Sequence, residues 1–230
     1  MPTHHVISPD DVDTLPARIA RTLIDRIVTG QLRPGEKVRQ DALATEFGAS
    51  HVPVREAFRR VESRGLLVSE PRRGVRVSAL DEASVIEITR MRGALESLAL
   101  RCAIPAITAH DLACAESSIK AGTTAQDIQQ WESANRAFHE ALYRPCRMPR
   151  LLSSIDMLYE SRTRYMYVTA SSVDWDPRSQ QEHEQLLAAV RANDVAKACH
   201  ILEQHIEDAG EILLQSLKKW RATISKESLA

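Results

Sequence analysis

The sequence predicts a mainly α protein: an N-terminal winged helix-turn-helix unit followed by an all-α antiparallel helical bundle. Three observations carry this expectation. Residues 43–77 spell a short helix ending at Gly48, a second helix opening at Ser50 and closing at Gly65, and two apolar runs, Leu66–Ser69 and Val75–Val77, around Glu70-Pro71-Arg72-Arg73-Gly74. From Ser78 onward the strand signals stop, and apolar residues recur at helical spacing to about residue 218. Only 4% of the residues are aromatic, which points to an aliphatic, helix-rich core.

The chain of 230 residues suits one large domain or two small ones, and 43% hydrophobic with 27% charged residues is a globular composition. No apolar run approaches the roughly 18 residues needed to span a bilayer. The start, MPTHHVISPDDVD, has neither the basic nor the apolar region of a secretory signal. Cys102, Cys114, Cys146 and Cys199 lack CxxC spacing, so buried free thiols in a reducing cytoplasm are expected. Net charge is −1, which excludes a uniformly basic nucleic-acid binder. Its distribution is uneven: residues 33–76 carry ten Lys/Arg against six Asp/Glu, and the rest is correspondingly acidic.

Residues 1–13 read as a flexible arm. Thr14 offers an N-cap and Pro16 a first-turn proline for a helix with the stripe Leu15, Ile19, Leu23, Ile24 and Ile27, ended by Gly30. Leu32-Arg33-Pro34-Gly35 is a turn. Residues 40–47 form a short helix with Leu43 and Phe47 inward. Ser50 caps the next, where Pro53 is tolerated early and Val54, Phe58 and Val61 form the buried stripe. Its arginines fall on other faces. The first turn of such a helix enters a major groove, and its N–H groups favour phosphate. Ser50, His51, Val52 and Arg55 are therefore the candidate DNA contacts, with Arg39 ahead of the preceding helix and Arg72, Arg73 and Gly74 at the wing tip. Taken alone, arginines on one helix also describe a solvated face; the ordered turn, cap and hairpin favour the DNA reading.

Asp81 caps a helix over 82–103, with Val85, Ile88, Met91, Leu95, Leu98 and Ala99 at helical spacing, and Pro105 ends it. Further helices are expected at about 109–121, 125–144, 149–170, 178–192 and 194–218. Asp176 and Pro177 should open the fifth of these six bundle helices, and Asn193-Asp194 should separate the last two. Helices this long with short links pack as an antiparallel bundle. The domain plan is thus 14–78 for the winged unit, 79–222 for the bundle and 223–230 for a tail.

Asn135 and His139 lie i and i+4 on one helix face. An antiparallel turn at Asn193-Asp194 brings His183 level with His205. Three imidazoles and one oxygen on inward faces are a way to build a metal site in a bundle. Zinc is the leading ion, with nickel or manganese as alternatives. The plain alternative is hydrogen-bonded core or surface histidines. Arg92, Arg162, Arg164 and Arg178 are candidate anion contacts, against the alternative of i,i+4 surface pairing such as Arg92 with Glu96.

The segment Gly48-Ala49-Ser50-His51-Val52-Pro53-Val54-Arg55-Glu56-Ala57-Phe58-Arg59-Arg60 resembles the recognition-helix signature of the GntR family of bacterial transcription factors. Gly30-Gln31-Leu32-Arg33-Pro34-Gly35-Glu36-Lys37 looks like that family's first inter-helix connection, and the remainder resembles the FCD ligand-binding domain of its FadR subfamily. The resemblance implies a DNA-binding regulator in which Arg55 contacts DNA. It implies a divalent metal held through Asp-x3-His and two later histidines, matched by Asn135, His139, His183 and His205, and a carboxylate contact at Arg92. Two departures stand out. His51-Val52 replaces the family's usual Arg-Thr, and Asn135 replaces its aspartate. Asp41 also sits where many relatives place a basic residue.

The expectation is therefore a cytoplasmic homodimer on double-stranded DNA with a palindromic operator, responsive to a small carboxylate effector, and not an enzyme. Two other readings use part of the sequence. A metal-dependent hydrolase or lyase would use the same histidines, but it has no well-placed general base beyond Glu182. A bare DNA-binding dimer would use the helical region for dimerisation only.

Overall fold

The computed structural model describes residues 14–71, 73–169 and 178–227, without the side chains of 178, 179 and 224–227. The expected N-terminal arm, the Asp176–Pro177 helix start, the last residues of the tail, Arg72 and the Arg178 side chain lie outside this description. The protein is mainly α and falls into two compact units that divide between Leu80 and Asp81.

The first unit contains α1 (Leu15–Val28), β1 (Lys37–Val38), α2 (Gln40–Glu46), α3 (His51–Glu62), β2 (Leu67–Glu70) and β3 (Gly74–Val77). Thr14 and Ser50 stand at the N-cap positions of α1 and α3, but neither side chain makes the capping bond. Gly48 turns the chain between α2 and α3 at φ 57°, a conformation that costs a glycine nothing. Ile19, Leu23, Ile27, Val54, Phe58 and Val61 interlock in one core, so the apolar stripes of α1 and α3 face each other. The sheet has three strands in the order β1-β3-β2, all antiparallel. The sequence pattern contains the β2–β3 hairpin but not β1, which is two residues long and exists only by pairing Lys37 with Arg76 and Val38 with Val75.

The second unit contains α4 (Glu82–Ala103), α5 (Ala109–Thr123), α6 (Ile128–Tyr143), α7 (Pro149–Thr169), α8 (Arg178–Arg191) and α9 (Val195–Glu227). Short polar caps open several of them. Asp81 accepts from the Ser84 N–H at 2.8 Å, Thr108 and Asp111 form a reciprocal capping box, and Asp127 accepts from the Gln130 N–H. Asn193 takes a left-handed φ of 54° and Asp194 accepts from the Lys197 N–H at 3.1 Å, reversing the chain between α8 and α9. Leu100, Phe138, Leu142, Leu186, Leu202 and Ile206 form the bundle core.

Three expectations are corrected. The last helix runs to Glu227, so most of the expected 223–230 tail is helical. The inward face of α4 is only partly the expected apolar stripe: Val85 and Ala99 are buried, but Met91 and Leu98 are 45% and 42% exposed, whereas Arg92, Glu96 and Ser97 are buried. The ion pair of Arg92 with Glu96, described below, takes the place of apolar contacts in the middle of the helix. Of the four free thiols, only Cys199 is buried; Cys102 is exposed and Cys114 and Cys146 are partly so. No described helix is long and apolar enough to cross a membrane.

These placements separate two classes of apolar residue. Leu202→Ala, in the core, is expected to cost about 2–5 kcal/mol in denaturant unfolding of the full chain. Met91→Ala is expected to stay within about 0.5 kcal/mol, measured the same way.

Candidate metal centre and nucleic-acid interface

The described residues among the DNA-contact candidates of the first unit are all at the surface. Arg39, Ser50, His51, Val52, Arg55, Arg73 and Gly74 are exposed. The fold gathers Ser50, His51, Val52 and Arg55 in the first turn and a half of α3, because Val54, Ala57 and Phe58 bury the opposite side. Arg39 directly precedes α2 and lines a surface groove with Lys37, Asp41 and Gly74. Lys37 is the residue that sequence reading missed here. It joins the wing only through the β1–β3 pairing, and a Cβ on Gly74 would stand 3.3 Å from its Cε. The His51 Nδ1 lies 3.8 Å from a carboxylate oxygen of Asp41, so the two departures from the common pattern face each other.

In the second unit, α6 contributes Asn135 and His139, α8 contributes His183 and α9 contributes His205. All four are buried. One ring nitrogen from each histidine lies within 4.8 Å of those of the other two. Ring centroids are 5.2 Å apart for His139 and His183, 5.4 Å for His139 and His205, and 4.9 Å for His183 and His205.

The surrounding hydrogen bonds decide which atoms face inward. Tyr143 donates its hydroxyl proton to Glu96 at 2.7 Å, so its oxygen accepts from His139 Nδ1–H at 3.0 Å. That leaves His139 Nε2 as a lone pair. His205 donates Nδ1–H to Glu182 at 2.6 Å, which in the neutral ring also frees Nε2. The Asn135 amide nitrogen donates to the Tyr159 hydroxyl and, at 3.4 Å, to Glu132, so the amide oxygen is the atom left over. The buried His139 Nε2, His183 Nε2 and Asn135 Oδ1 make no hydrogen bond. Burial holds the His139 and His183 pKa values well below the usual imidazole range, and the neighbouring imidazoles and arginines push them further down. Neutral imidazoles with aligned lone pairs and a spare amide oxygen are the donor set of a divalent transition metal. The residues present fit such an ion.

Two of the four arginines nominated as anion contacts, Arg92 and Arg162, are already engaged. Arg92 donates Nε–H to Glu96 at 2.6 Å, and Arg162 donates from Nη1 to both oxygens of Glu132 at 2.6 Å. Thr163 also donates to Glu132, at 2.7 Å. Burial alone would lower the Arg162 pKa, but Glu132 raises it beyond its ordinary value. Arg92 and Arg162 flank the Tyr159 ring at 4.9 and 5.5 Å, and both line a crevice with Thr89, Tyr165 and Gly210. Arg164 is buried elsewhere on α7, and desolvation lowers it to about 10. The i,i+4 pairing of Arg92 with Glu96 is thus real, but it is an interior pair and not a surface one. Glu132, Tyr143 and Tyr159 are residues that sequence reading left out, and Glu96 and Glu182 entered it only as a pair partner and a general-base candidate. An acidic or phenolic residue one helical turn from a predicted ligand was the available signal.

Comparison with known proteins completes the picture. The family of bacterial regulatory proteins called gntR matches residues 15–77, and the FCD domain matches residues 87–208. The chain belongs to the GntR family and carries an FCD domain. It is a DNA-binding transcriptional regulator and not an enzyme. Among similar proteins, the HTH-type transcriptional repressor GlaR of Escherichia coli K12 is 26% identical over 86% of this chain and 94% of its own length. The E. coli McbR/YncC structure aligns with a TM-score of 0.75 at 28% identity, over 88% of this chain and 98% of that one. A GntR-family structure from Pseudomonas syringae pv. tomato aligns with a TM-score of 0.60 at 32% identity, over 94% and 90%.

The buried carboxylates carry a stability consequence. Glu132→Ala leaves the Arg162 charge without its partner in the interior and is expected to cost about 3–5 kcal/mol. Adding Arg162→Met should recover much of that loss, measured by thermal unfolding of both variants beside the parent.

Proposed function

We propose that this regulator is a cytoplasmic homodimer that represses transcription from a palindromic operator, and that a small carboxylate bound with a divalent metal in the helical unit alters operator affinity. The observation that carries the reading is the convergence of His139, His183 and His205 with ring nitrogens within 4.8 Å. Asn135 supplies the oxygen donor. Zinc suits this set best, with nickel or manganese as alternatives. When bound, such an ion supplies a Lewis-acidic centre for carboxylate oxygens. Asn135 carries no charge, so it does not offset that of the ion, and an anionic effector gains by adding its own. Arg92 and Arg162 keep further N–H groups beyond those given to Glu96 and Glu132, and these form the effector's second contact.

On the DNA side, two copies place two α3 helices in successive major grooves of a symmetric site. Arg39, Ser50, His51, Val52 and Arg55 approach the groove and its phosphates, and the wing residues Arg72, Arg73 and Gly74 approach the flanking backbone. The similarity to a named repressor, GlaR, supports the sign of regulation. An effector changes operator affinity only if it binds the two arrangements of the dimer unequally; the usual coupling is about 1–3 kcal/mol.

Two variants separate the halves of the proposal. Arg55→Ala is expected to weaken binding to a selected operator by about 1–3 kcal/mol in fluorescence anisotropy, with metal content by mass spectrometry unchanged. Asn135→Asp is expected to tighten metal binding in calorimetric titration and to reduce the thermal shift produced by carboxylates. If no member of a panel of mono-, di- and tricarboxylates moves either the melting temperature or operator affinity of the metal-loaded protein, the effector reading is wrong and a bare DNA-binding dimer remains.

A further inference from the structure

We propose that Val52 reads the 5-methyl group of a thymine in the major groove of each operator half-site. The proposal rests on the sequence-specific operator binding proposed above and names one base that this binding selects.

Val52 is 72% exposed, although it belongs to a helix whose other aliphatic residues are used inside: Val54, Ala57 and Val61 are fully buried and Phe58 nearly so. It lies in the first turn of α3, between exposed polar neighbours Ser50, His51 and Arg55. Nothing within its own unit rewards a valine there. A β-branched residue is a poorer helix former than alanine, and this side chain contributes nothing to the core. Its two methyl groups neither donate nor accept a hydrogen bond, so phosphates and the polar base edges gain nothing from it. The thymine C5-methyl is the apolar feature that the major groove displays.

The surroundings are arranged for a mixed readout. Arg55 lies three residues further along, on nearly the same face of α3, and supplies the bidentate donor pattern that suits guanine. The His51 imidazole stands beside α2, with Nδ1 3.8 Å from an Asp41 carboxylate oxygen. Val52 is thereby the apolar member of the first-turn surface, flanked by groups that favour polar or charged partners. Burying one methyl against it corresponds to about a fourfold gain per half-site, hence about fifteenfold for a symmetric dimer site.

The test removes that methyl and nothing else. The full-length protein is used to select a consensus operator from a random duplex pool. Each thymine of the half-site is then replaced, symmetrically and one position at a time, by deoxyuridine. Affinities are measured by anisotropy at one fixed salt concentration for the parent, Val52→Ala and Val52→Thr. The expected result is one position at which deoxyuridine weakens the parent about tenfold or more. Val52→Ala should bind the thymine and uracil operators equally, and Val52→Thr, which keeps one methyl, should retain part of the difference. A well-defined operator with no methyl-sensitive position, or methyl sensitivity that survives in Val52→Ala, overturns the proposal and leaves the operator reading intact. Failure of the parent to select any consensus overturns both together.

Discussion

Three imidazoles buried around one point impose a constraint that the helical unit must satisfy. Lone pairs turned toward one another repel unless a shared cation or donor lies between them, and burial disfavours the charged form of His139 and His183. The hydrogen bonds around the site make this arrangement worse, not better, in the absence of a cation. Tyr143, held to Glu96, and the carboxylate of Glu182 take the Nδ1 protons of His139 and His205, so the bare Nε2 atoms turn inward. A histidine cluster closed by hydrogen bonds alone would instead turn an N–H of one ring toward the lone pair of the next. The outer partners here do what second-layer groups do around a bound metal: they fix tautomer and ring orientation before the ion arrives.

Charge arrangement explains the rest of the interior. α4 turns Arg92 and Glu96 inward and leaves Met91 and Leu98 outside, against the simplest reading of its hydropathy. Arg162 and Glu132 pair across α7 and α6. Arg92 and Arg162 are thus each matched by a buried carboxylate, and neither pair adds net charge to the centre. The choice of asparagine at position 135 keeps the ligand set neutral as well. The ligand atoms themselves are thus uncharged, a setting in which a bound cation would favour an anionic ligand by Coulomb attraction at low dielectric. In the first unit the logic is reversed: the core is plainly apolar and the polar residues are pushed to one surface, where Arg39, His51 and Arg55 stand free of the packing that holds them in place.

Much of this was legible in the sequence because it is written in local signals. The α2–turn–α3 arrangement follows from Gly48, Ser50, Pro53 and the Val54, Phe58, Val61 stripe. The level of His183 with His205 follows from their nearly equal distance from the Asn193-Asp194 turn. What was not legible depends on partners distant in sequence. β1 is two residues long and is created by Arg76 and Val75, nearly forty positions away. Glu96 reaches Tyr143 from 47 positions away and Glu132 reaches Thr163 from 31, so neither could be assigned to the centre by spacing. The extension of α9 to Glu227 was partly legible, since Trp220 and Ile224 continue the helical spacing of Leu213 and Leu217, but no glycine or proline marks where it ends.

The central claim is that the three histidines form a metal-binding centre and not a hydrogen-bonded core. The most direct measurement is a calorimetric zinc titration of chelator-treated full-length protein, alongside His183→Ala, with circular dichroism to establish that both are folded. One ion per chain should bind the parent, stabilising it by about 2.7 kcal/mol when free zinc is a hundred times the dissociation constant, and the variant should lose that binding while keeping its helices. A folded parent that takes up no zinc, nickel or manganese, or a His183→Ala variant that binds zinc as tightly as the parent, would contradict the account.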